Sequence, residues 1–136
     1  MIIMSVDYGD ARTGLAVCDK FEMLASPVEV IHESYVPKII DRIQILSSEI
    51  KPELIIVGLP KNMDGSTGER GNKCIDFAQS IKERCKIETM MWDERLTTVT
   101  AHKYLNDTNT RGKKRKNTVD AVAAVVILQS FIDSRK

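Results

Sequence analysis

Three acidic residues stand where they could act together, two closing apolar stretches and one within an apolar segment. Asp7 closes an apolar, β-branched stretch, Ile2-Ile3-Met4-Ser5-Val6. Glu94 follows Trp92-Asp93 at the end of a second apolar stretch and precedes Arg95. Asp120 is the sole charged residue between Thr118 and Leu128, in a segment that is otherwise nearly all apolar. Each has an ordinary reading as well. Aspartate forms turns, paired acids favour a helix start, and Asp120 suits a first helical turn capped by Thr118. A helix so apolar must nevertheless be buried, and a carboxylate on it needs a partner. Brought together, the three acids repel one another unless cations neutralise them. Mg²⁺ and Mn²⁺ take oxygen ligands and keep positions open for water and phosphate oxygens. Two such ions roughly 3.5–4 Å apart can activate a water and stabilise a leaving oxygen. That chemistry is phosphodiester hydrolysis without histidine or cysteine.

Other routes are poorly supplied. His32 and His102 are isolated, and Cys18, Cys74 and Cys85 are odd in number and widely spaced. Neither set offers a zinc site, a Ser-His-Asp arrangement or a disulfide framework. The cysteines read as buried thiols of a reducing cytosol. The net charge of +1 does not by itself announce a nucleic-acid binder. Its distribution says more, because Lys113, Lys114, Arg115 and Lys116 crowd one short segment just before Asp120. A solvated mobile loop is the simple reading of such a run. Next to a carboxylate cluster it could instead hold a phosphate backbone beside the metals. Gly58 to Gly65 lacks the Gly-Lys-Ser/Thr of a Walker loop. Its place between a strand end and a helix start suits phosphate contact, which makes Lys61 and Asn62 candidates. Arg12, in the turn Gly9 to Gly14, and Arg95 are further candidate nucleic-acid contacts.

The elements that must position these groups follow from periodicity. Residues 2–7, 15–18 and 28–31 read as three strands joined as an antiparallel meander. Ile39, Ile43, Leu46 and Ile50 recur at helical spacing, with Pro37 in the first turn. Residues 54–57 form a short unbroken apolar strand, as expected when both sheet faces are covered. Ser66 and Glu69 have capping-box spacing and would start a second helix striped by Cys74, Phe77, Ala78, Ile81 and Cys85. A fifth strand spans 87–92, a short helix 98–105, and a last helix 118–132, with the basic run as a loop before it. With 136 residues and no repeat or linker, one α/β domain is expected. It would be a mixed five-stranded sheet, three antiparallel strands extended by parallel ones, with helices packed on it. Ligands tend to bind beyond the carboxyl ends of parallel strands, and Asp7, the Gly58 loop and Glu94 all fall at strand ends.

In these residues the chain resembles the YqgF family, also called RuvX-type Holliday junction resolvases. The matching segments are Asp7-Tyr8-Gly9 with Arg12 and Gly14, then Gly58-Leu59-Pro60 with Asn62-Met63-Asp64-Gly65, then Trp92-Asp93-Glu94-Arg95-Leu96-Thr97-Thr98. Lys113 to Lys116 followed by Val119-Asp120, Ala123-Ala124-Val125 and Leu128-Gln129-Ser130 completes the pattern. The resemblance implies a ribonuclease-H-like fold and maps Asp7, Glu94 and Asp120 onto the family's acidic triad, with Asp93 in the same motif. It also implies two substrates, four-way DNA junctions and the 5′ end of pre-16S rRNA.

The expectation is therefore a cytoplasmic, metal-dependent nuclease using Mg²⁺ or Mn²⁺, as two ions, on structured RNA during ribosome biogenesis. Branched DNA is the alternative substrate, and nothing in the residues separates the two. No membrane partner is expected, since no apolar run has spanning length and no signal peptide opens the chain. A monomer or a weak dimer is equally open. Two other classes remain. The run Asp7-x-Gly9-x-x-x-x-Gly14 resembles the first phosphate loop of actin-like ATPases and sugar kinases, though those pair two such domains. A non-catalytic nucleic-acid binder would carry the same acids without using them.

Overall fold

The computed structural model describes residues 1–96 and 112–136, with side chains described for 1–96 and 121–136. The short helix expected over 98–105 lies outside the described residues.

The chain begins as a hairpin. β1 (Ile3–Asp7) pairs antiparallel with β2 (Thr13–Cys18), matching Asp7 with Gly14 and Val6 with Leu15. The turn between them folds back so tightly that a Cβ on Gly9 would strike the carbonyl oxygen of Arg12, which is why glycine stands there. β3 (Ala25–Ile31) pairs antiparallel with β2 across a bulge at Leu15/Ala16. It begins three residues earlier than the expected 28–31 and carries Pro27 inside it. Proline lacks an amide donor, and an edge strand with a bulge can accommodate it.

α1 (Val36–Ile50) places Pro37 in its opening turn and buries Ile39, Ile40, Ile43 and Leu46. It stops at Lys51, which takes the left-handed conformation at φ 57. β4 (Leu54–Leu59) then lies parallel to β1, buried along its whole length. It reaches beyond the expected 54–57, so Gly58 belongs to the strand rather than to the following loop. α2 (Glu69–Cys85) leads to β5 (Glu88–Asp93), which lies parallel to β4. The resulting sheet has the order β3-β2-β1-β4-β5.

The capping box expected at Ser66 and Glu69 is absent. Gly68 is the N-cap of α2, and no side chain bonds there. Ser66 instead donates its hydroxyl to Asp64 at 2.6 Å and accepts the Asn62 amide through its carbonyl at 3.0 Å. The loop's own turn outcompetes the helix for the hydroxyl, since serine bonds nearby backbone and side chains as readily as it caps.

The final helix, α3 (Gly112–Ser134), starts six residues earlier than the expected 118. Lys113 to Lys116 thus lie on helical backbone instead of in a loop. Lysine and arginine are good helix formers, and no breaker separates them from the apolar segment. A run of such residues prolongs a helix as readily as it forms a loop.

Two apolar layers sandwich the sheet. On one face Met4, Val6, Ile55 and Val57 pack with Ile39 and Ile43 of α1 and Phe77 and Ile81 of α2. On the other, Ile3, Ala16, Leu54 and Ile56 pack with Ala124, Leu128, Phe131 and Ile132 of α3. Alternation along each strand sorts residues between the faces. Cys18 and Cys74 are buried and Cys85 half-buried, all as free thiols. No helix among the described residues is long and apolar enough to cross a membrane.

Candidate functional site

Parallel pairing brings the carboxyl ends of β1, β4 and β5 to one edge. Val6 is opposite Val57, and Gly58 is opposite Trp92. Asp7 has the same parity as Ile3 and Ser5, so it belongs to the face covered by α3. Ser5 fixes that relationship by donating its hydroxyl to the Ala124 carbonyl at 2.6 Å. Asp120 lies one helical turn before Ala124 on the α3 backbone. Its side chain, like those of Lys113, Lys114, Arg115 and Lys116, lies outside the described residues.

At the end of β5 the adjacent acids part. Asp93 accepts the Arg95 amide at 2.9 Å and the Arg95 guanidinium at 2.8 Å. That pairing holds its carboxyl below the usual range. Arg95 also reaches the Asn62 carbonyl at 3.4 Å, tying the loop after β4 to the end of β5. Glu94 opens a single 3₁₀ turn, Glu94–Leu96. It turns to the α3 face and lays its side chain over β4. A Cβ built on Gly58 would sit 3.3 Å from both Cγ and Cδ of Glu94, and 2.6 Å from Cδ1 of Ile127. Gly58 is therefore the floor on which the Glu94 carboxyl rests.

Glu94 senses the charge of Asp7. Burial pushes the Glu94 carboxyl above its ordinary value, and the charge of Asp7 pushes it further. Burial likewise raises Asp7. Both shifts are opposed by Arg70. This arginine, in the first turn of α2, bonds the Tyr8 carbonyl and pairs with Asp10 at 2.8 Å. Its guanidinium lies 5.0 Å from the Tyr8 ring centroid, and that ring stacks on Phe77 at 4.2 Å.

Reasoning from sequence alone passed over Arg70 and the role of Gly58. A cation in the opening turn of a helix runs against the helix dipole, and that misfit was the available signal for Arg70. Gly58 gave none, because its neighbours are distant in sequence. Arg12 and Asn62 are exposed, and Lys61 is half-exposed. Asn62 is engaged within its own loop, donating from Nδ2 to Ser66 at 3.0 Å.

The donor set suits a hard divalent cation. Two half-buried carboxylates, each with its proton affinity raised by burial, are stabilised by a cation at oxygen-ligand distance. Among the described residues no group of three such ligands assembles.

The buried charges set the sign of a pH effect. A carboxyl whose folded pKa lies above its unfolded value binds its proton more tightly when folded. Its cost is absent below the unfolded pKa and grows as pH rises through that value towards the folded one. Asp7→Asn should therefore raise the melting temperature of the metal-free protein at neutral pH. The gain should vanish well below about pH 4, the unfolded aspartate value. Thermal melts in chelator across that range check both parts.

Comparison with known proteins agrees with this architecture. The RuvX family, described as Holliday junction resolvase, matches residues 1–134. A relative from Clostridium novyi, provisionally named a pre-16S rRNA nuclease, is 42% identical over 134 residues, covering 98% of this chain and 99% of that protein. Among solved structures, Thermus thermophilus RuvC in complex with a Holliday junction substrate superposes with a TM-score of 0.72 at 13% identity, over 99% of this chain and 95% of that one. The fowlpox virus Holliday junction resolvase does so at 0.59 and 14% identity, over 100% of both chains. These likenesses assign the ribonuclease-H-like fold. With a match across nearly its whole length, the chain belongs to the RuvX family, a family of nucleases described as Holliday junction resolvases.

Proposed function

We propose that this chain is a metal-dependent nuclease that trims the 5′ end of pre-16S rRNA, working in the cytoplasm during ribosome biogenesis. The observation that carries the reading is the Asp7–Glu94 pair, half-buried at the carboxyl ends of β1 and β5, with Gly58 leaving room for the Glu94 side chain. The name of the Clostridium novyi relative supports the RNA substrate.

In this reading Asp7 and Glu94 hold Mg²⁺ or Mn²⁺, as two ions, and Asp120 completes the set from α3. When bound, such ions supply a water acidic enough to attack phosphorus and neutralise charge on the leaving oxygen. The chain's own residues do the rest. Burial keeps the carboxylates poorly solvated and eager for cations. The Asp93–Arg95 pair fixes the turn from which Glu94 projects. Arg12, Lys61, Asn62 and Arg95 line the approach as candidate backbone contacts, and Lys113 to Lys116 extend it along α3.

Four-way DNA junctions are the second reading, favoured by the description of the family and the same chemistry. Purified protein incubated with a pre-16S rRNA 5′ fragment and with a four-way junction, each with and without Mn²⁺, separates the two. Cleavage of RNA alone supports the first reading, and cleavage of the junction alone overturns it. Replacing Lys113, Lys114, Arg115 and Lys116 with glutamine should weaken RNA binding. It should also flatten the slope of log affinity against log salt by about 1 to 3, as each lost phosphate contact releases fewer counterions. Filter binding across a salt series measures that slope.

A further inference from the structure

We infer that Arg70 is a phosphate-binding residue of this site that competes with divalent cations for the Asp7–Glu94 pair. This rests on the metal-dependent reading above.

The argument begins with where Arg70 is held. Its guanidinium bonds the carbonyl of Tyr8, the residue directly after Asp7, and pairs with Asp10 at 2.8 Å. The Tyr8 ring supports it at 5.0 Å, and that ring is itself stacked on Phe77 at 4.2 Å, an interplanar angle of 4°. Two bonds and a rigid aromatic base confine a side chain that would otherwise have many rotamers. The charge is thereby fixed beside the strand ends, where it acts on both Asp7 and Glu94. The side chain stays 37% exposed, so the guanidinium can meet a ligand from solvent.

A positive charge in this place has two consequences of opposite sign. It disfavours a second cation on the carboxylates, because like charges repel. It favours an anion arriving at the same edge, and the planar fork of arginine matches phosphate oxygens. Asp10 partly neutralises it and is 81% exposed, so a phosphate group could displace that partner at little cost. The arrangement suits a site in which metal and phosphate enter together rather than metal alone. Arginine here lowers affinity for free ions and raises affinity for the phosphate backbone.

A tie that served only to hold α2 against the β1–β2 turn would not separate these effects. Mn²⁺ binding by the metal-free protein, followed by electron paramagnetic resonance, gives a readout independent of cleavage. Arg70→Gln should bind Mn²⁺ about three- to tenfold more tightly, the scale of losing one repulsive charge at a partly solvated site. The same variant should bind the pre-16S rRNA fragment more weakly in Ca²⁺, with its salt slope reduced by about 1. Arg70→Lys keeps the charge and should return Mn²⁺ affinity to within about twofold of wild type, while recovering RNA binding only in part. Circular dichroism melts establish that both variants fold, and an unfolded Arg70→Gln leaves the Arg70→Lys comparison with wild type to decide. Unchanged or weaker Mn²⁺ binding by folded Arg70→Gln, or Arg70→Lys departing from wild type in Mn²⁺ affinity, would overturn the inference. Asp7→Asn run alongside keeps the failures distinct. If it loses Mn²⁺ while Arg70→Gln is unchanged, only the role of Arg70 falls. If wild type binds no Mn²⁺, the metal-dependent reading falls first and takes this one with it.

Discussion

Asp7→Asn is expected to abolish Mg²⁺- or Mn²⁺-dependent cleavage of the pre-16S rRNA fragment, by about a thousandfold or more, while RNA binding persists. The size follows from the position of the group. Removing one fixed electrostatic element from a preorganised site commonly costs about 10²–10³ in rate, and a lost metal ligand removes the ion as well. Persistence of binding follows because the candidate backbone contacts, from Arg12 to Lys116, are untouched. Asparagine has nearly the shape of aspartate, so the α3 face repacks little. The variant should also be more stable than wild type in chelator at neutral pH, since burial raises the Asp7 pKa. Loss of cleavage in a protein that melts higher cannot be ascribed to unfolding. Single-turnover cleavage and filter binding on the same preparation provide the measurement. Full activity in the variant would reject Asp7 as a ligand and with it the proposed chemistry.

Gly58→Ala is expected to produce the second largest effect, on stability and activity together. The added methyl would lie 2.6 Å from Cδ1 of Ile127 and 3.3 Å from Cγ and Cδ of Glu94. Gly58 belongs to a buried strand held between β1 and β5, so the backbone cannot retreat. The neighbours must move instead. Ile127 can rotate, but it is 2% exposed and packed among α3 and sheet residues. Overpacking of this kind costs typically about 1–3 kcal/mol. Glu94 has freer choices, because its carboxyl can swing away from β4. A shift of about 1 Å in a positioned group can cost on the order of a hundredfold in rate. Urea denaturation and cleavage assays read the two effects separately. A variant with full activity would show that the floor beneath Glu94 is dispensable.

Much of this site was legible before folding. The apolar runs ending in Asp7 and in Trp92-Asp93-Glu94, and the lone acid of the last helix, stand out in the chain because strand and helix periodicities are local. Adjacent residues of an extended strand face opposite ways, which says that Asp93 and Glu94 part but not which of them turns towards Asp7. Where local reading went astray, local competition was the cause. The hydroxyl of Ser66 bonds Asp64 rather than capping α2, and Lys113 to Lys116 prolong α3 rather than forming a loop.

The remainder belongs to contacts between residues far apart in the chain. By itself the sequence determined which elements form and which acids are unusual, since propensity and periodicity act over a few neighbours. Only the tertiary structure decided that β1 lies between β2 and β4, that the Glu94 carboxyl rests on Gly58, and that Arg70 reaches across from α2 to the turn after Asp7. Such choices depend on which surfaces exclude water together and on which charges then share a poorly solvated edge. Those energies exist only once distant segments have met.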